Sequence, residues 1–154
     1  MLFLLGAVLL LGGLVGLYAY QSESAGPLGF AGFAVAFLGT ALMIGASWSS
    51  VFVEPYIAGV APELLEEEPG GLLNLGFTLS FGLVSLGWLL FGVASLRARV
   101  YPRSASILLI IGAALTFVPL PFTAIVFAVS VAWLGFVLLT GMSASSAAQR
   151  SRAS

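Results

Sequence analysis

The stretch TFVPLPFTA, Thr116 to Ala124, sits inside a run from Ser104 to Thr140 that carries no charge. A straight helix over that run would measure roughly 55 Å at 1.5 Å per residue, against a hydrocarbon core about 30 Å thick. Tilt does not absorb so large an excess. One proline in a membrane helix is often only a kink. Pro119 and Pro121 stand two apart, lack N–H donors, and each drives the preceding residue, Val118 or Leu120, out of the α region. Pro121 suits the first turn of a new helix, where a missing N–H costs nothing. The stretch therefore predicts a turn between two helices, about 102–118 and 121–140.

Charge placement tests that reading. Arginine occurs in two places only: Arg97, Arg99 and Arg103 in RARVYPR, and Arg150 and Arg152 near the last residue. Cytoplasmic flanks of membrane spans are enriched in Lys and Arg. Both clusters are cytoplasmic only if an even number of spans separates them, which again requires two helices. Working outward, further apolar runs cover 2–20, 28–53 and 72–96, each long enough to cross. QSESAGPLG is a polar turn with Gly26 and Pro27 as breakers. The expected fold is all-α: a polytopic membrane bundle of five transmembrane helices over 1–142, N-terminus outside and C-terminus inside. The tail 143–154 is small, polar and low in complexity, and is expected to be disordered. The first apolar run lacks a basic start and is longer than a signal-peptide core, so it is read as a retained span.

Composition supports the same class. Hydrophobic residues make up 60% and charged residues 7% of 154, where soluble domains have roughly 45–50% and 25%. The solvent for this chain is expected to be the lipid bilayer, and the localisation the cytoplasmic membrane of a prokaryote. Five cations face six anions with no basic stripe, so no nucleic-acid partner is expected. Histidine and cysteine number zero, and neither lysine nor aspartate occurs. Bis-His haem, Ser–His and Asp–Asp proteolysis, thiol redox chemistry and retinal Schiff bases are thereby excluded. No Walker or dinucleotide glycine motif is in context, and no cofactor is expected.

In lipid, close packing and interhelical hydrogen bonds hold helices together. Small residues recur at helical spacing: Gly12 and Gly16; Gly32, Ala36 and Thr40; Ala41, Gly45 and Ser49; Gly76 and Ser80; Gly112 and Thr116; Ala128 and Ala132. Packing within the chain is the ordinary use of such rows. A membrane-protein partner or a homo-oligomer through Gly12/Gly16 is the sharper one. Tyr18, Tyr20, Tyr56 and Tyr101 fall near span ends, where amphipathic rings favour the headgroup zone. Trp88 and Trp133 fall near mid-span, with Ser85, Ser130 or a free carbonyl as acceptor for the indole.

Two groups could carry chemistry. In the acidic segment, Pro62 opens a short amphipathic helix with Glu63 in its first turn. Glu63, Glu66 and Glu67 lie on one face and make a weak cation-site candidate, because no Asp, Asn or Gln completes an oxygen shell. Glu54, at the end of the second span, is the ionisable residue closest to the membrane interior. With Asn74, Ser49 and Thr78 it forms a candidate polar pocket opening outward. The function expected from the whole is non-catalytic, structural or an accessory subunit of a membrane complex. A transporter or channel component using that pocket is the alternative.

Overall fold

The computed structural model describes residues 1–66, 70–116, 125–138 and 140, with the Glu66 side chain left out. Among the described residues all regular structure is helical, with no strand. The helices are α1 Leu2–Phe52, α2 Glu54–Val60, α3 Glu63–Glu66, α4 Gly71–Ala98 and α5 Arg103–Leu115, followed by α6 Ile125–Leu138.

α1 is two antiparallel arms joined at one residue. Gly26 has φ +56° and ψ −159°, a combination open essentially to glycine alone. Pro27 follows and starts the second arm without needing an N–H partner. The reversal is visible in the contacts. The Tyr18 and Phe33 rings stack at 4.2 Å, although positions fifteen apart on a straight helix would be about 22 Å distant. Met1 and Ser50 line the same groove. The expected polar turn is thus confined to Gly26, and helix continues on both sides of it. Gln21 stays helical because its side chain is buried, and Ser22 Oγ bonds back to the Ala19 carbonyl at 3.1 Å.

Two helices are long and apolar enough to cross a membrane: the one from Leu2, taken through to Val60, and Gly71–Ala98. α5 and α6, with 13 residues and the span Ile125–Leu138, reach only about 20 Å each as described. Residues 117–124, with both prolines of TFVPLPFTA, lie outside the described residues, as does the tail 143–154. The helices flanking that stretch nevertheless fold back on one another. A Cβ on Gly112 would stand 3.1 Å from Phe127 Cα and meet Ser130 Oγ. On one continuous helix, positions 112 and 130 would be about 27 Å apart. The chain therefore reverses between Leu115 and Ile125.

The tightest seam joins the second arm of α1 to α4. A Cβ on Gly32 would stand 2.7 Å from Phe91 N, one on Gly39 2.6 Å from Leu83 C, and one on Gly87 2.6 Å from Val35 C. Real Cβ atoms essentially never approach within 3.0 Å, so the two backbones touch through glycines on both sides. The row Gly32, Ala36, Thr40 is buried there. Gly112 packs on α6, while Ala128 and Ala132 are exposed. Gly12, Gly16, Gly45 and Gly76 have nothing within 4 Å of where a Cβ would stand, so Gly12/Gly16 takes no part in packing within the chain.

Side chains sort opposite to the usual soluble pattern. The interior holds Gln21, Thr40, Ser85, Ser95, Ser106 and Ser130, all at or near zero exposure, around Trp88 and Phe91. Phe3, Phe30, Leu38, Phe81, Ile111 and Phe136 are among many large apolar residues facing outward.

Candidate functional site

At the end of the bundle that holds Met1 and Ser50, α1 stops at Phe52 and α2 begins at Glu54. Pro55 lies in the first turn of α2. The sequence had suggested no helix there, but a proline in the first turn and a carboxylate at the positive end both favour one. The Ser50 hydroxyl donates to Glu54 Oε1 at 2.7 Å, one turn back along the chain. Glu54 is exposed, as are Asn74 and Thr78, and Ser49 is half-buried.

Next to Glu54 lies a half-open groove of about 330 Å³ between the start of α1, the end of its second arm and the start of α4. Phe3, Met43, Phe77 and Phe81 form its apolar walls, with Ser47, Ser50 and Ser80 among the lining. None of Glu54, Asn74, Ser49 and Thr78 lines it. The four candidate residues sit around this end without converging on one pocket, and Ser50 is what links Glu54 to the groove.

The acidic segment contains a helix of a single turn, Glu63–Glu66, with Glu63, Leu64 and Leu65 exposed. Glu67 and the Glu66 side chain lie outside the described residues. Among those described, no three Asp, Glu, His or Cys side chains group as metal ligands.

The interior polar groups pair across helices. Trp88 Nε1 donates to Thr40 Oγ1 at 3.3 Å, and Thr40 Oγ1 donates to the Ala36 carbonyl at 2.7 Å. Thr40, not a serine, is thus the indole's acceptor. Phe127 meets the Trp88 ring edge-on at 5.3 Å. Ser85 Oγ donates to the Ala113 carbonyl at 3.0 Å and adjoins Thr116 Oγ1. Ser95 Oγ lies 2.6 Å from Gln21 Oε1 and 2.8 Å from the Phe91 carbonyl. Gln21 Nε2 and Ser106 Oγ are buried without a hydrogen-bond partner among the described residues.

Tyr101 departs from its expected interfacial role. Only 4% exposed, it donates from its hydroxyl to the Leu17 carbonyl at 2.9 Å, tying the α4–α5 turn to the first arm. Burial, with a smaller contribution from Tyr20, pushes its phenol well above the ordinary tyrosine range. Trp133 is exposed and lies 6.3 Å from Phe136.

Sequence reasoning missed Gln21, Ser95 and Ser106. A signal existed only for the serines, as polar residues inside apolar runs; Gln21 stood in a segment that read as a turn. Chemically the interior hydroxyls are occupied with backbone carbonyls or with one another, and the chain has no histidine to activate one. No protein-family model matches the chain, and neither a curated protein nor a solved structure does.

Proposed function

We propose that the chain is a small non-catalytic, multi-pass protein of a prokaryotic cytoplasmic membrane, serving as a structural or accessory subunit. The observation that carries the reading is the inverted distribution of side chains. Serine, threonine, glutamine and glycine fill the interior while leucine, phenylalanine and valine face out. In water such an exterior would aggregate; in lipid it is the expected solvent-facing surface, and small and hydroxyl residues are the expected interhelical contacts. Five spans, N-out and C-in, follow from the two reversals together with the arginine clusters. Reporters fused after Arg103 and after Ser154 should face the same side; opposite sides would overturn the topology.

The accessory role is tested by purification from native membranes, where a stoichiometric partner is expected. The open stripe around Gly12 and Gly16 is the proposed contact for that partner or for a second copy. Gly16→Leu should abolish the association without changing the stability of the isolated chain. A transporter or channel component is the second reading, supported by the groove that opens beside Glu54. It predicts that Glu54→Gln alters a transport phenotype in the host while protein levels stay constant.

A further inference from the structure

The groove at the Met1 end belongs to neither packing seam and has walls that suit one kind of occupant. Its volume of about 330 Å³ lies at the lower end of the range for small-molecule sites, about 300–1,000 Å³. Phe3, Met43, Phe77 and Phe81 give it an apolar interior that satisfies no polar ligand but accepts a hydrocarbon chain. One polar feature stands at its edge. Ser50 lines the groove and donates to Glu54 Oε1 at 2.7 Å, which places the carboxylate about one hydrogen bond from the lining.

Charge decides what headgroup that edge accepts. Glu54 and Glu63 are both exposed near this end. Arg97, Arg99 and Arg103 flank Tyr101, whose hydroxyl is bonded to the Leu17 carbonyl. Leu17 lies about 24 Å from Met1 along the first arm, more than two Debye lengths at physiological salt. No described arginine therefore offsets the carboxylates at the groove. An anionic headgroup is repelled there and an ammonium is attracted.

We propose that the groove binds one phospholipid with an amine headgroup, its acyl chain between Phe3, Met43, Phe77 and Phe81 and its ammonium on the Glu54 carboxylate. The inference rests on the membrane reading above and extends it to a specific lipid contact. It requires no catalysis.

The test is native mass spectrometry of the full chain in detergent with equimolar dioleoyl phosphatidylethanolamine and dioleoyl phosphatidylglycerol. The expected result is one retained phosphatidylethanolamine in roughly fivefold excess over phosphatidylglycerol, the ratio that about 1 kcal/mol gives at 1.4 kcal/mol per decade. Glu54→Gln should bring the ratio to about one while a lipid is still retained, because the apolar walls are intact. Ala46→Phe, which fills the groove, should remove both lipids. If that variant does not elute as a folded species, Ser47→Phe replaces it on the same wall. Equal retention of the two lipids by the wild type would overturn the proposal, as would unchanged phosphatidylethanolamine retention in the filled-groove variant. Retention of detergent alone would overturn it too. Failure of the membrane reading would look different: the chain would be absent from the membrane fraction altogether.

Discussion

Gly87 and Gly76 lie on the same helix and differ in what a methyl group would meet, so one substitution made at both gives a signed test of the α1–α4 seam. At Gly87 an added Cβ would stand 2.6 Å from Val35 C and would meet Ala36 backbone even more closely; at Gly76 nothing lies within 4 Å. The obstacle at Gly87 is backbone, so no rotamer change relieves it, and the helices must part by about an ångström locally. Overpacking of this kind typically costs about 1–3 kcal/mol. Alanine returns about 1 kcal/mol of helix propensity over glycine at either position. Gly87→Ala should therefore destabilise by about 1–2 kcal/mol, and Gly76→Ala should be neutral or stabilising by up to about 1 kcal/mol. The assay is unfolding of the purified protein in mixed dodecylmaltoside–SDS micelles, followed by tryptophan fluorescence, since Trp88 adjoins the substituted position and is fully buried. If Gly87→Ala matched or exceeded Gly76→Ala in stability, the backbone contact would not exist as described.

Gly26→Ala should cost about 1–3 kcal/mol in the same assay, because alanine at φ +56° and ψ −159° carries the strain of a glycine-only conformation. Thr40→Val should cost about 0.6–1.7 kcal/mol, the range for interhelical hydrogen bonds in a membrane, and should shift Trp88 emission as the indole loses its acceptor. For Tyr101 the sign follows from the raised phenol. The folded state holds the proton after the unfolded state has released it, so stability is complete below pH ~10 and falls as pH rises beyond. Tyr101→Phe should be less stable at neutral pH by about 1 kcal/mol for the lost Leu17 bond, yet show a shallower decline in alkali. An identical alkaline slope in both proteins would refute the assignment.

Much of the architecture was legible because apolar run length and breakers are local properties. The reversal at Gly26 and Pro27 and the buried row Gly32, Ala36, Thr40 were readable from spacing, and Gly71–Ala98 follows its apolar run closely. The phase of one helix against another is not a local property. On α4 the seam passes through Gly87; at 100° per residue, Asn74 lies roughly 140° around from it, and Asn74 is accordingly exposed. Ser80 lies only about 20° away and is buried. Grouping Asn74 with Glu54 assumed a rotation that sequence does not encode. Gln21 was hidden for a related reason: its burial depends on Ser95, 74 positions further along, and a polar residue beside a turn looks solvated until its neighbour across the bundle is known. The acidic segment read as an amphipathic helix holds one turn, with an unforeseen helix before it at Glu54–Val60.

The glycine seam also limits how this protein can change. Glycine has the smallest side chain, so every substitution at positions 32, 39 or 87 pushes the two helices in the same direction, apart. A second-site change normally restores such a fit by trimming the residue opposite. Here the atoms opposite belong to the main chain, and there is nothing to trim. Sequence drift along this line therefore has no reciprocal partner, and descendants of the fold could accommodate a larger residue there only by moving a whole helix.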